Sequence, residues 1–505
     1  MGGIDAATHR VYSANEYRVD IWRQARTTLL AAFLLSLTAI VLLLKFPPSW
    51  VSLLLCLGIA PVTWHRPALG IASVLGITLL VEQYNFGVNV FRPITALVPL
   101  FDNASRITGV RGFEASPLEI LLFAVAVVVL TRAVTRHAQV RKNPLTVPVL
   151  AFLIALSASL VLGLARGGAF TIALWELRGL VYFCLLVFVV PQTVATRRDV
   201  RMIMWVAIVV IGVKAAQGVW NYAIVLKGDV GLVESVTGHE DALFIAWMFV
   251  LLVGLLVYRA ARRQRLALLA TAPLMAFAFV ATQRRAAYAA LALGLVVLAA
   301  LVASDVSKRR LLVKVGVPAL VIFVLMAGVG WSSSGALGAP ARVIKSIVAP
   351  QSVQDVRSNY YRQVENENLM DAIKTQPVFG LGFGRPFQRP GQRGIVDVGF
   401  SLENYIAHNE IMWIWAKMGT LGFALFWVMM GGFIAFGGVV FRTVRQPYSK
   451  VLAALVTCAV AMQIVVSSVD LQLTYARNMV FLGVLVGILA RLPALDEEEP
   501  SDGPA

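Results

Sequence analysis

Charge is what this chain has least of. Only 14% of its 505 residues are Asp, Glu, Lys or Arg, against 59% apolar, whereas soluble domains carry about 25% charged residues. A water-soluble fold would have too few polar side chains to cover its surface. Acidic residues are scarcer than basic ones, 27 against 44, giving a formal net charge of +17. Cysteine is nearly missing. Cys56, Cys184 and Cys458 stand alone within apolar stretches, without the spacing of a zinc site or a disulfide framework. No segment alternates apolar and polar residues over ten positions, which argues against an outer-membrane barrel. Internal repeats and low-complexity segments are missing too.

Long apolar runs are what the chain does have. Leu29–Phe46 and Leu421–Phe441 can each cross a hydrocarbon core of roughly 30 Å as a helix. Hydropathy predicts fourteen spans, near 27–46, 49–64, 67–84, 117–134, 145–165, 173–194, 202–226, 241–258, 266–282, 286–304, 313–331, 417–441, 451–469 and 479–492. The fold class expected is therefore an all-α polytopic membrane protein.

Basic residues gather in short clusters at span ends: Arg23/Arg26, Arg132/Arg136/Arg141/Lys142, Arg197/Arg198/Arg201, Arg259/Arg262/Arg263/Arg265, Lys308/Arg309/Arg310 and Arg442/Arg445/Lys450. With fourteen spans every cluster falls on one side. That is the positive-inside pattern of cytoplasmic loops rather than a nucleic-acid surface. The expected organisation is a cytoplasmic tail at 1–26, transmembrane helices at 27–331, one large external loop at 332–407, a His-bearing helix with three further spans at 408–492, and an acidic cytoplasmic tail at 493–505. Asp5, Glu16 and Asp20 oppose reading the first segment as a cleaved signal peptide.

Four features break the charge and hydropathy rules. Arg284 and Arg285 lie between two apolar spans on the outer side, where positive charge opposes the orientation rule. They either snorkel to lipid phosphates or hold a phosphate bidentately. The large loop carries Arg357 and Arg362 just before a Pro/Gly-rich turn, together with Glu365 and Glu403. His408 opens an aromatic-rich segment and reads equally as a buried structural histidine or a general base. His239, Glu240 and Asp241 are adjacent and cannot all converge on one ion, so they are expected to line a cavity rather than bind metal. Glu176 and Arg178 do not face each other on a helix; each is expected to find a partner on another helix.

Taken in order, these segments resemble the O-antigen ligase and Wzy-type polysaccharide polymerase family over roughly residues 170–490. The matching motifs are Thr282-Gln283-Arg284-Arg285-Ala286-Ala287, then Arg362 ahead of Pro377-Val378-Phe379-Gly380-Leu381-Gly382-Phe383-Gly384, then His408-Asn409 before Gly419-Thr420-Leu421-Gly422. Two positions depart from the family pattern. Lys417 stands where many relatives have Glu, and Gly238-His239-Glu240-Asp241 stands where many have a Pro-Asn-like sequence.

The resemblance implies a helical fold of the second GT-C type in the bacterial inner membrane. It implies metal-independent, cofactor-free, inverting transfer of a glycan from polyprenyl (undecaprenyl) pyrophosphate to a hydroxyl of a glycan, lipid or protein acceptor, among membrane lipids and without nucleic acid. It also implies roles for residues. Arg285, with Arg284 and Arg362 or Arg357, would hold the pyrophosphate. His408 would deprotonate the acceptor, and Asn409 would cap its helix. His239, Glu240, Glu403 and Lys417 are expected at the acceptor site or cavity wall. The alternatives are a lipid-linked oligosaccharide flippase and a protein O-oligosaccharyltransferase.

Overall fold

The computed structural model describes residues 58–83, 100–103, 105, 114–135, 140–228, 236–282, 284–311, 314, 353–388 and 402–498. The expected spans at 27–46 and 313–331, and most of that at 49–64, lie outside the described residues. So do 332–352 and 389–401 of the large loop.

The described chain is helical, with no strand among the described residues. The helices are α1 (Pro67–Leu80), α2 (Pro117–Val134), α3 (Thr146–Ala165), α4 (Phe170–Thr193), α5 (Arg197–Trp220), α6 (Asp241–Val257), α7 (Arg262–Ala281), α8 (Arg285–Ser304), the short α9 (Val306–Leu311), α10 (Val353–Thr375), α11 (Glu410–Thr443), α12 (Pro447–Ser467) and α13 (Ala476–Glu498). Nine described helices are long and apolar enough to cross a membrane, and α1 and α6 are shorter apolar helices. The protein is a polytopic helical membrane protein.

Local sequence sets several starts. Ser116 and Glu119 form a capping box on α2, as Thr196 and Asp199 do on α5, satisfying amides that the first helical turn leaves without partners. Pro447 opens α12, at a position where a missing N–H costs nothing. The helices α4, α12 and α13 are mostly buried and form the centre, with α13 packed along α4. Around them α2, α3, α7 and α8 turn side chains such as Phe123, Ile154, Leu266 and Val296 outward, as lipid-facing helices do.

Arg442 in the last turn of α11 and Lys450 in the first turn of α12 lie at the end of the bundle away from His408. There Asp305 accepts hydrogen bonds from Tyr258 Oη at 3.1 Å and Lys450 Nζ at 3.4 Å. The opposite end of the bundle, where α6, α8, α11 and α13 begin, carries the unusual residues.

One element differs from expectation. The span predicted from 417 begins at Glu410 and is broken at Gly419, whose φ of 66° and ψ of −176° are not helical. A short helix over 410–418 therefore precedes the membrane-crossing segment, and it carries the residues after His408 into the bundle. The polar segment 357–375 lies within α10, which packs on α11.

Candidate functional site

The Pro/Gly-rich turn fastens α10 to the bundle. Leu381 N and Gly382 N donate to the carbonyls of Ala416 and Lys417, each at 2.9 Å, and Thr420 N donates to Pro377 O at 2.8 Å. On the other side Ala169 N donates to Gly384 O at 2.9 Å, and Arg166 donates to Gly380 O at 2.8 Å. The turn thus joins the α3–α4 corner to the break in α11. Gly382 has φ +85°, and a Cβ there would collide with the backbone of Gly163. Gly382→Ala is expected to destabilise the protein by at least about 1 kcal/mol, since the left-handed conformation and the clash both oppose it. A lowered midpoint in thermal unfolding would register this.

Lys417 and Glu176 lie beneath the turn. Both are fully buried, and they form an ion pair with each other. Glu176 also accepts from Gly384 N, and Lys417 donates to Arg385 O at 2.5 Å. Glu176 thus has the interhelical partner expected of it, and Arg178 pairs with Glu119 on α2 at 3.0 Å. Lys417, expected at the acceptor site or cavity wall, instead sits under the turn with no exposed surface. Its carboxylate partner comes from α4, which residue spacing alone could not reveal.

His408 stands at the head of α11. Its Nδ1 lies 3.0 Å from Oε2 and 3.2 Å from Oε1 of Glu365 on α10, and its backbone N–H donates to Oε2 at 3.3 Å. Glu365 is 1% exposed, whereas the His408 side chain keeps 28%. The ring of Tyr361 meets the imidazole edge-on at 5.4 Å. Burial disfavours protonated His408, but the hydrogen bond and charge of Glu365, aided by Asp470, outweigh it and raise its pKa above the usual histidine value. The carboxylate holds one ring nitrogen and leaves Nε2 as the group able to take a proton. Asn409 caps α11, its side chain accepting from Met412 N at 3.1 Å.

A cluster of arginines lies beside this pair. Arg284 precedes α8 at its N-cap position, without a side-chain cap, and Arg285 is the helix's first residue. The guanidinium of Arg284 meets Nε2 of His239. Arg362, one turn before Glu365 on α10, is close enough to feel Asp470, Arg285, Glu365 and Arg284. Burial, with the two neighbouring guanidinium groups, lowers its pKa against the pull of the acids. Asp470 lies in the turn between α12 and α13. Burial would raise its pKa, but Arg284, His239, His408 and Arg362 together lower it. The turn is held by Glu410, which accepts from the backbone amides of Gln472, Leu473 and Thr474.

The remaining sequence candidates are placed elsewhere. Arg357 is exposed on α10. Glu403 acts on Tyr361 by charge. Glu240, expected as a cavity-lining residue, is 3% exposed and pairs with Arg477 at 2.8 Å. It belongs to a buried ionic cluster with Glu82, Lys214 and Asp241.

Sequence reading did not assign Glu365 or Asp470 a role. Glu365 had a signal: it shares a helical stripe with Tyr361, Leu369 and Ile373, all buried, and an acid on such a stripe needs a partner. Asp470 had only its position in an otherwise short polar turn.

A cleft of about 600 Å³ opens next to Arg362, between α10, the head of α11 and residues 468–469.

Fold and site together describe a multi-pass helical membrane protein with a histidine–carboxylate pair and an arginine cluster at one end of its bundle. Residues 270–427 match the family model described as O-antigen ligase. The matched segment contains Arg284, Arg285, Arg362, Glu365 and His408. A search of curated proteins found no match.

Proposed function

We propose that this protein transfers a glycan from a polyprenyl pyrophosphate to a hydroxyl of an acceptor glycan, on the outer face of the bacterial inner membrane. The observation that carries this reading is the meeting of the Glu365–His408 pair with Arg284, Arg285 and Arg362 at one end of the bundle. Three guanidinium groups against two carboxylates leave net positive charge for an anion.

His408 Nε2 takes the proton of the acceptor hydroxyl as its oxygen bonds to the anomeric carbon. The bond from that carbon to the pyrophosphate oxygen breaks, and the electron pair leaves with polyprenyl pyrophosphate. Arg285, with Arg284 and Arg362, stabilises the charge developing there. Attack opposite the leaving group inverts the anomeric centre. Glu365 stabilises the imidazolium that forms. No step calls on a metal or cofactor.

The test is purified protein in liposomes with a polyprenyl-pyrophosphate glycan donor. Covalent transfer with release of polyprenyl pyrophosphate supports the proposal. Movement of the intact lipid across the bilayer without a covalent product would identify a transporter and end it.

The pH profile provides a second prediction. His408 must be neutral to accept a proton, so activity should rise with pH through its raised pKa. Glu365→Gln removes the larger of the two charges that raise that pKa, leaving burial and Arg362 to lower it against Asp470 alone. The acid limb of the rate profile should therefore shift to lower pH. The maximal rate should also fall, by less than the about 10²–10⁴-fold that general-base catalysis contributes in full, because the imidazolium loses its carboxylate. An unshifted limb would dissociate His408 from the base role.

A further inference from the structure

The cleft beside Arg362 has a composition of its own. Along α10, Asn359, Gln363, Asn366 and Met370 follow one another at helical spacing and line it together with Arg362 and Glu367, Gln363 Nε2 donating to Glu367 at 3.1 Å, and Met412 faces them from α11. The inner stripe of the same helix carries Tyr361, Glu365 and Leu369 into the bundle. Thus α10 presents one face to the histidine and a second, amide-rich face to the cleft.

Two polar atoms at the cleft lack hydrogen-bond partners although both are buried: Asn366 Oδ1, an acceptor, and Arg362 Nε, a donor. They lie four residues apart, on one side of the helix. A buried polar atom without a partner is costly. A sugar hydroxyl suits both atoms, because it donates and accepts at once. Met370 and Met412 offer apolar surface to the C–H face of a sugar ring. The cleft also reaches Asn409, the residue next to His408.

We propose that this cleft binds the uncharged terminal sugars of the acceptor glycan and delivers one hydroxyl to His408. This rests on the transfer reaction proposed above. The α10 amides select for hydroxyl-bearing sugars, and Arg362 borders both this cleft and the pyrophosphate site held by Arg284 and Arg285.

The test uses full-length protein in lipid nanodiscs. It is titrated with the free oligosaccharide released by mild acid from the source cell's own polyprenyl-linked glycan, and separately with polyprenyl pyrophosphate. Asn366→Leu and Gln363→Leu should each weaken oligosaccharide binding about fivefold, the loss of one neutral hydrogen bond. Both should bind polyprenyl pyrophosphate as the unaltered protein does. Gln363 is exposed, so its variant tests the cleft even if Asn366→Leu fails to fold.

Unchanged oligosaccharide binding in the Gln363 variant, or equal weakening of both ligands, would overturn the proposal. Displacement of the oligosaccharide by a phospholipid acyl chain would overturn it in favour of a lipid groove. The two readings fail separately. If no glycan is transferred by unaltered protein, the reaction is wrong. If transfer proceeds and the variants keep the acceptor KM, only the cleft assignment is wrong.

Discussion

Arg285→Ala should lower glycan transfer by about 10²–10³-fold, the usual cost of removing one donor to a developing oxyanion, while the protein still folds and inserts. The two halves of this expectation come from the same position. Arg285 is the first residue of α8, where the helix dipole already presents positive charge and a basic side chain is unfavourable. Arg284 and Arg362 are close by, so like charges add to the cost. Neither the helix dipole nor the neighbouring guanidinium groups therefore favour arginine there. A phosphate or pyrophosphate that draws the three guanidinium groups together does account for it. Arg285→Lys keeps the charge but loses the planar fork, so it should fall between alanine and the natural residue. The measurement is turnover on a defined lipid-linked donor, with unfolding followed in parallel. Near-normal turnover of the alanine variant would remove Arg285 from the reaction. Loss of folding and turnover together would make it structural.

The sequence made some of this site legible, and the reasons differ by residue. Arg284 and Arg285 stood out because two adjacent charges between apolar spans are costly near lipid, and the fourteen-span expectation put them on the outer side. The helices α2 to α8 followed from hydropathy, since a span must satisfy its backbone internally. His408 and Arg362 were candidates by motif, yet their partners were not visible. Glu365 sits 43 residues from His408, and Asp470 comes from a turn after a further span. The fate of Lys417 was hidden for the same reason. Its partner, Glu176, comes from α4, a helix more than 200 residues away in sequence. Local pattern reports what one helix needs. Which helix supplies it depends on packing, and packing among lipid-embedded helices leaves only a weak trace in apolar composition.

Arg477→Leu is expected to destabilise the protein by about 3–5 kcal/mol, the cost of breaking a buried charge network by removing one partner. Arg477 is fully buried at the start of α13 and donates in several directions. Its Nη1 pairs with Glu240 at 2.8 Å and Glu82 at 3.3 Å, and its Nη2 with Asp241 at 2.6 Å. Its Nε and Nη2 also reach the carbonyls of Thr78 at 3.2 Å and Leu79 at 2.6 Å, closing the end of α1, where carbonyls lack helical partners. With Lys214 the cluster sets two cations against three carboxylates. Leucine would leave Lys214 as the one cation among these five positions and strip two α1 carbonyls of their donor. A lysine at 477 restores the charge but cannot reach acids and carbonyls at once, so it should recover only part of the loss. The consequence should also extend to the arginine cluster. Asp241 accepts from Gly238 N at 3.0 Å, and the next residue, His239, meets Arg284. Freed from Arg477, the 238–241 turn would no longer fix His239 against Arg284. Thermal unfolding in detergent checks the stability claim. Turnover measured well below the unfolding midpoint checks the second. An Arg477 variant with reduced stability but full turnover would show that the ionic cluster holds the bundle together without setting the position of Arg284.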